Sequence, residues 1–203
     1  FEEGLASGDV VYAVDYLTEQ TRALLEGREP AISAAGKDVV VIGGGDTGND
    51  CMGTAVRQGA RTVRQLEYGP CAPEQRAASN AWPEWPNVKK TDYGQEEAIA
   101  LQGDDLREWC ADTQRVLLDS DGRVRGLQVH SLDWSAGKPS AVEGSEREID
   151  AQLVLVACGF AGPECGVFDA LGVPVATAGR PLPVMEGGAT GAAAATHRAE
   201  LAE

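Results

Sequence analysis

Apolar residues recur at helical spacing along residues 9–26 and form a broad stripe, which predicts an amphipathic helix. Ser7 or Asp9 is expected to cap the start of this helix, and Gly27 is expected to end it. Residues 27–36 are rich in glycine, proline and small side chains. They are predicted to form a linker.

A different pattern follows the linker. Residues 39–42 are valines and an isoleucine, a composition typical of a buried strand. A glycine-rich stretch, residues 43–48, comes directly after them. Residues 47–58 suit a helix that stops at Gly59. Residues 61–67 then return to strand character.

The rest of the chain alternates between irregular and strand-like segments. Residues 69–96 contain several prolines and are predicted to be irregular. Residues 115–118 and 123–134 alternate around a turn, which predicts a β-hairpin. Residues 153–157 are predicted to form another buried strand. Residues 187–203 are mostly alanine, glycine and small polar residues, and we expect a frayed tail.

Two tryptophans lie between prolines within residues 80–86. Indole rings on a stiff backbone indicate a loop that covers an apolar surface. We therefore interpret Trp82 and Trp85 as packing residues rather than as ligand contacts.

The formal net charge of −15 argues against a nucleic-acid partner, because phosphate binding requires clustered lysines and arginines. We interpret the acidic balance as a contribution to solubility. No apolar run is as long as a membrane span, so we expect no membrane association. No secretory signal is visible, and the chain begins with Phe1. We therefore expect the start of the gene product to lie outside this sequence.

The five cysteines are scattered, and none of them forms a Cys-x-x-Cys pair. Their spacing fits neither a zinc site nor an iron–sulfur cluster, so no metal ligand is assigned. An odd, scattered set is typical of reduced thiols in a cytoplasmic protein. We expect each of them to fill a buried position; they are Cys51, Cys71, Cys110, Cys158 and Cys165.

The glycine-rich stretch matches the pattern G-x-G-x-x-G, and its context carries more weight than the pattern itself. It follows a predicted strand, opens a predicted helix, and precedes a second strand that ends in an acidic residue. Gly43 allows the tight turn, Gly45 lets a pyrophosphate approach the backbone, and Gly48 lets the helix pack close to the strand. The sequence thus predicts an α/β fold with a Rossmann-like NAD(P)-binding domain and an inserted β-hairpin or meander.

The other residues of the loop, Gly44, Asp46 and Thr47, are also assigned to the cofactor site. The start of the helix presents free N–H groups to the phosphates, and the Thr47 hydroxyl is a further donor. Asp46 is unusual beside an anion. We expect it to face away and to cap the helix.

Glu67 follows the loop at the end of the second predicted strand. An acid at this place accepts hydrogen bonds from the adenosine ribose, which favours NADH over NADPH. Against this preference stand Arg61, Arg64 and Arg76, which are close enough to Glu67 in the sequence to reach a 2′-phosphate. Of these arginines, Arg76 is assigned to the cofactor site. Surface solvation is the alternative for each arginine, so the choice between NADH and NADPH stays open.

No catalytic residue is assigned. The two histidines, His130 in a predicted strand and His197 in the tail, have no neighbouring partner in the sequence, and we interpret both as structural or exposed. Without acid–base groups the natural chemistry is hydride transfer, in which cofactors react and the protein positions them. Flavin is the expected acceptor.

Several segments of the chain resemble the small (beta) subunit of glutamate synthase. The glycine loop is shared with many flavoprotein reductases, whereas the Trp-Pro stretch and a Tyr-Gly-x-Glu-Glu segment are more specific. The resemblance covers roughly residues 5–175 and is carried by residues 36–51, 53–60, 80–86, 92–98, 150–160 and 162–164.

The resemblance implies a role. In that family the small subunit oxidises NADPH, or NADH in some relatives, and reduces FAD. Electrons then pass through iron–sulfur clusters to the large (alpha) subunit, which makes glutamate from 2-oxoglutarate and glutamine-derived ammonia. The family architecture has two dinucleotide-binding domains, the NAD(P)H domain being an insertion within the flavin domain.

The same resemblance predicts the domain boundaries. Residues 1–35 are a helix and linker from the flavin domain, residues 36–160 are the NAD(P)H-binding domain, and residues 161–203 begin the return to the flavin domain. Gly159, which follows the last predicted strand, is assigned to cofactor binding.

This chain departs from the family pattern. The cysteine-rich amino-terminal domain, the first flavin-binding glycine loop and the later Gly-Asp motif are absent. We therefore expect a part of the subunit that binds NAD(P)H and is inactive alone, with most of the FAD site and all iron–sulfur clusters elsewhere. The alternatives are the NAD(P)H domain of another flavoprotein reductase, or a truncated, non-catalytic nucleotide-binding module.

Overall fold

The computed structural model describes residues 2–159, 162 and 166–175. The chain divides into two compact units, Phe1–Cys158 and Gly159–Glu203. The predicted tail, residues 187–203, and Cys165 lie outside the described residues. The helices are α1 (Glu2–Ser7), α2 (Ala13–Glu26), α3 (Asp46–Arg57), α4 (Tyr93–Gln102) and, in the second unit, α5 (Gly166–Leu171). The strands are β1 (Val10–Tyr12), β2 (Asp38–Ile42), β3 (Thr62–Leu66), β4 (Arg107–Glu108), β5 (Ala111–Leu118), β6 (Val124–Asp133), β7 (Ser140–Ala141), β8 (Arg147–Asp150) and β9 (Leu153–Val156).

A parallel sheet forms the centre of the first unit. Among the described residues it has five strands in the order β1-β9-β2-β3-β4, and each neighbouring pair is parallel. The central strand β2 is buried on both faces, as Val39, Val40 and Val41 show. Consecutive apolar residues are typical of strands covered on both sides, so the predicted strand at 39–42 is confirmed.

Helices cover one face of this sheet. Val39 and Val41 of β2 point into a core that includes Cys51 and Ala55 of α3. The predicted helix at 47–58 is confirmed within one residue at each end. Alternation along β2 sends Val40 to the opposite face.

An antiparallel meander covers the other face. β5 and β6 form the predicted hairpin, and β6 also pairs with β7 and β8. Leu127 and Val129 of β6 pack in one core with Val40 and Val154 of the parallel sheet. The predicted α/β fold with an inserted hairpin or meander is therefore confirmed.

The start of the chain differs from the prediction of one helix over residues 9–26. Val10 and Val11 belong to β1 and pair with Val154 and Leu155 of β9. Both valines are buried by this pairing, so a tertiary contact overrides their helical spacing. The segment before residue 35 thus adds a strand to the same sheet. The division between compact units falls after Cys158.

The caps of α2 also correct the prediction. The residue that precedes the helix is Tyr12, which makes no side-chain cap hydrogen bond. Asp9 instead lies 2% exposed and accepts hydrogen bonds from the Arg123 guanidinium and the Val124 backbone N–H. Gly27 ends the helix in a left-handed conformation with φ 65°, as predicted.

The loop before α4 corrects a second prediction. Trp82 and Trp85 are 84% and 80% exposed, so they do not pack against an apolar surface of the described residues. Hydrogen bonds within the loop hold its backbone instead: the Asn80 side-chain amide donates to the Trp85 carbonyl over 3.1 Å. Residues 93–96, predicted to be irregular, form the first turn of α4 and are capped by Asp92.

The cysteines divide into two groups. Cys51 is buried, and burial raises the pKa of its thiol to about 12. Cys71 and Cys158 are exposed and Cys110 is intermediate. The prediction of a buried position for each cysteine is therefore wrong for these three residues.

No helix of the described residues has both the length and the apolar character needed to cross a membrane.

Candidate functional site

The glycine loop lies at the carboxyl ends of the strands of the parallel sheet. It connects the end of β2 to the first turn of α3. The Gly43 N–H donates to the Leu66 carbonyl over 2.8 Å, so the loop begins in contact with the end of β3. This edge is where ligands bind in open α/β sheets.

The fold itself requires glycine at both ends of the motif. Gly43 has φ 111°, and a Cβ there would lie 2.3 Å from the Ala157 carbonyl oxygen. A Cβ on Gly48 would lie 2.2 Å from the Gly43 carbonyl oxygen. The loop is thus packed against the backbone that follows β9 on one side and against the start of α3 on the other.

Gly45 has a different environment. A Cβ at this position would meet nothing within 4 Å, and its backbone is extended, with φ −74° and ψ −176°. The surrounding protein therefore gives no steric reason for glycine here. An open backbone at a helix start is a cradle for a phosphate group, which a side chain would obstruct.

The first turn of α3 has N–H donors that no side chain of the described residues caps. Gly45 is the N-cap residue and supplies no side-chain cap. Asp46 is the first helical residue and is exposed, so the prediction that Asp46 caps the helix is wrong. Thr47 is half-buried in the same turn. The helix start therefore keeps its partial positive charge and uncapped donors for an anion.

Glu67 lies directly beside the loop. Its carboxylate contacts the Cα of Gly44 so closely that a Cβ there would overlap it. Burial raises the pKa of Glu67, and the charge of Arg107 partly opposes this shift. Among the described residues no donor is hydrogen-bonded to this carboxylate; only the Glu67 backbone has partners. It is a half-buried acceptor next to the cradle, as a ribose-binding acid would be.

The structure therefore brings together residues 43–48 and Glu67, whereas two of the three arginines pair with carboxylates elsewhere. Arg61 pairs with Asp38 at the amino end of β2, and Arg64 pairs with Glu108. Arg76 is exposed and donates to the Glu84 carbonyl over 2.6 Å. Its assignment to the cofactor site stays a prediction.

The remaining sequence assignments concern Gly159 and the two histidines. Gly159 begins the second compact unit and has φ 91°; its cofactor role stays a prediction. His130 lies on β6, with its ring 3.4 Å from an Asp112 carboxylate oxygen. His197 is outside the described residues. Within the described residues no three His, Cys, Asp or Glu side chains are grouped as metal ligands.

A cavity of about 440 Å³ lies between β2, β3 and β8. It is lined at the amino ends of β2 and β3 by Asp38 and Thr62, whereas the glycine loop follows the carboxyl end of β2. Its charged lining is largely paired, since Arg64 and Arg147 both bind Glu108. We do not assign the nucleotide to this cavity.

Sequence reasoning missed a group of buried polar residues beneath the loop. Gln65 lies on β3 between Arg64 and Leu66 and is 0% exposed, and Gln95 is 5% exposed. A polar side chain in a buried strand requires a hydrogen-bond partner. That requirement was the available signal for Gln65, although the partner itself was not readable from the sequence.

The topology and the site together define the class: a Rossmann-type dinucleotide-binding domain with an antiparallel meander between its strands. No protein-family model matches the chain. Over 166 residues it is 42% identical to glutamate synthase (NADH) of Schizosaccharomyces pombe, and the aligned region covers 78% of this chain and 8% of that protein. Over 179 residues it is 41% identical to the glutamate synthase (NADPH) small chain of Bacillus subtilis, and the aligned region covers 84% of this chain and 36% of that protein.

The chain is similar to part of the glutamate synthase small chain, which confirms the resemblance predicted from its sequence. It spans about a third of the bacterial small chain that it matches. Among solved structures, a bacillithiol disulfide reductase from Bacillus cereus aligns with a TM-score of 0.46 and 22% identity, over 74% of this chain and 37% of that one.

Proposed function

We propose that this chain binds NADH or NADPH through residues 43–48 and Glu67. The observation that carries the proposal is the open backbone at Gly45, the N-cap residue of α3. It lies next to Gly44, which contacts the Glu67 carboxylate. Pyrophosphate would accept hydrogen bonds from the first turn of α3. The adenosine ribose would donate to Glu67.

A bound nicotinamide supplies a hydride, and the residues of this chain contribute binding and orientation rather than acid–base chemistry. The loop glycines hold the backbone donors at the edge of the sheet. The negative charge of Glu67 disfavours the 2′-phosphate of NADPH, and this favours NADH. Burial of the carboxylate strengthens this effect because the low local dielectric screens charge poorly.

The wider role follows from the relatives, which are named glutamate synthase. In the whole protein, electrons from NAD(P)H would pass through FAD and iron–sulfur clusters to the large (alpha) subunit. That subunit would use them to form glutamate from 2-oxoglutarate and glutamine-derived ammonia. This chain would supply the NAD(P)H site, with the iron–sulfur clusters and most of the FAD site elsewhere in the assembly.

Calorimetric titration of the purified chain with NADH and with NADPH tests the proposal. We expect saturable one-to-one binding of at least one nucleotide, and its loss in the variant Gly45→Val, which fills the cradle. The control is the thermal unfolding midpoint, which Gly45→Val should lower only slightly, because the site has room for the side chain and the remaining cost is that of a poorer N-cap residue. A folded chain that binds neither nucleotide contradicts the proposal.

A second experiment separates this role from the alternatives. The chain is mixed with NADPH and FAD, and flavin bleaching is followed. We expect no steady turnover, since the chain would hold only the nicotinamide nucleotide. Steady turnover would identify a self-sufficient flavoprotein reductase instead. Nucleotide binding without electron transfer to the large subunit, in the assembled enzyme, would favour a non-catalytic module.

A further inference from the structure

A chain of buried hydrogen bonds runs beneath the glycine loop. Its members are Gln65 on β3, Gln95 on α4 and Arg107 on β4, which are 0%, 5% and 7% exposed. The Gln65 Nε2 donates to the Gly43 carbonyl over 3.0 Å. The Gln95 Nε2 donates to the Gln65 Oε1 over 3.0 Å. The Arg107 guanidinium donates to the Gln95 Oε1 over 3.2 Å.

The direction of this chain is determined by donors that cannot be reversed. The Gln95 Oε1 accepts from Arg107 and, over 2.9 Å, from the Asp92 backbone N–H. Guanidinium and backbone N–H groups only donate, so this side of the Gln95 amide must be its oxygen. The Gln95 NH₂ group therefore faces Gln65 and requires the Gln65 oxygen. The remaining Gln65 NH₂ group then faces Gly43.

This arrangement fixes one peptide of the loop. In a planar trans peptide the C=O and N–H groups point in opposite directions. Because Gln65 holds the Gly43 carbonyl toward the buried interior, the N–H of Gly44 is directed the other way, out of the sheet edge. A flipped peptide would leave the buried Gln65 NH₂ group without its partner, which is unfavourable.

We propose that Gln65 is a positioning residue for nucleotide binding, and that Gln95 and Arg107 set its orientation. The proposal rests on the proposed binding of NAD(P)H at this loop. Gln65 does not touch the nucleotide; it orients the Gly44 N–H as a donor for the pyrophosphate. Because the peptide is held before the ligand arrives, binding requires no reorganisation of the loop.

The test compares Gln65→Leu with the wild-type chain and with Gln58→Leu. Gln58 is a matched control, because it is a partly buried glutamine at the opposite end of α3 that accepts hydrogen bonds from the Tyr16 hydroxyl and the Ala34 N–H. We expect the dissociation constant of NADH to rise about tenfold in Gln65→Leu, the loss of one hydrogen bond to a charged group. In Gln58→Leu we expect a lower unfolding midpoint and an unchanged dissociation constant.

The Gly44 amide signal in a ¹H–¹⁵N spectrum provides a readout that a purely structural role would not move. In the wild type we expect a large shift of this signal on NADH addition, and in folded Gln65→Leu a displaced free signal and a reduced shift. If Gln65→Leu does not fold, Gln95→Met removes the orienting donor and leaves Gln65 in place; about a threefold weaker binding is expected.

The outcomes separate this inference from the proposed function. If Gln65→Leu and Gln95→Met bind NADH as tightly as the wild type does, with an unchanged Gly44 signal, the inference is overturned. The proposed binding function then still stands. If the wild type binds neither nucleotide, the proposed function fails and the inference fails with it. An equal rise of the dissociation constant in Gln58→Leu would also overturn it, because the effect would then be general destabilisation.

Discussion

Replacing Gly45 by serine separates the demands of the fold from those of a ligand. Gly45 is the N-cap residue of α3, its backbone is extended, and a Cβ there has open space. Serine is among the preferred N-cap residues, because its hydroxyl accepts a hydrogen bond from the second or third helical N–H. In this chain those groups belong to Thr47 and Gly48. The substitution should therefore suit the helix while it obstructs the nucleotide.

The two effects have different sizes. At an N-cap, serine exceeds glycine by a few tenths of a kcal/mol, which corresponds to about 1 °C in the unfolding midpoint of a chain of this length. For the nucleotide, the side chain fills the approach to the backbone and its hydroxyl uses one N–H donor. A hydrogen bond to a charged group contributes about 1.5–3 kcal/mol, so binding should weaken about 10- to 100-fold.

The assay is calorimetric titration with NADH and NADPH, together with thermal unfolding. Gly45→Ala is the matched variant: it has the same Cβ but no hydroxyl, and alanine is a poor N-cap. We expect weaker binding in both variants, with the unfolding midpoint raised slightly by serine and lowered by alanine. If Gly45→Ser binds the nucleotide as tightly as the wild type, the pyrophosphate does not approach Gly45 and the placement of the site is wrong.

Three further predictions follow from the same geometry. Burial raises the pKa of Glu67, so ionisation of this carboxyl group makes the folded state less stable as pH rises above about 4. Glu67→Gln should therefore be more stable than the wild type at pH 7 but not at pH 3. The same variant should have a smaller difference between its dissociation constants for NADH and NADPH. An unaltered ratio of the two dissociation constants would mean that Glu67 does not meet the ribose. Gly48→Ala should lower the free energy of unfolding by about 2 kcal/mol in denaturant titration, because its Cβ would overlap the Gly43 carbonyl, and full stability would contradict the close approach. In the native chain at pH 8, alkylation followed by mass spectrometry should label Cys71 and spare Cys51, whose thiol is buried with a pKa of about 12; equal labelling rates would contradict the burial of Cys51.

The local sequence pattern was sufficient to predict the strand β2, the glycine loop and the helix α3. Residues 39–42 are apolar at every position because both faces of β2 are covered, and this pattern does not depend on which elements cover them. Gly27 and Gly59 mark helix ends because a left-handed residue is needed there, and both have positive φ. Gly43 and Gly48 likewise reflect the tight turn that the backbone makes between strand and helix.

Packing decided what the pattern left ambiguous. Val10 and Val11 match a helix as well as a strand, and the free edge of β9 settles the choice through their pairing with Val154 and Leu155. The same applies to Trp82 and Trp85: an indole between prolines is compatible with a buried or an exposed loop. Internal hydrogen bonds hold this loop, and both rings stay exposed.

The candidate site shows the same division. Its donors lie within a few residues of one another, so the sequence determined the strand, the turn, the helix start and the acid that follows. Only the tertiary structure decided that Gly45 alone of the motif glycines has open space, that Glu67 lies against Gly44, and that Gln65 holds the Gly43 carbonyl. Neighbours along the chain are set by local backbone preferences, whereas contacts between β3, β4 and α4 exist only after distant segments have packed together.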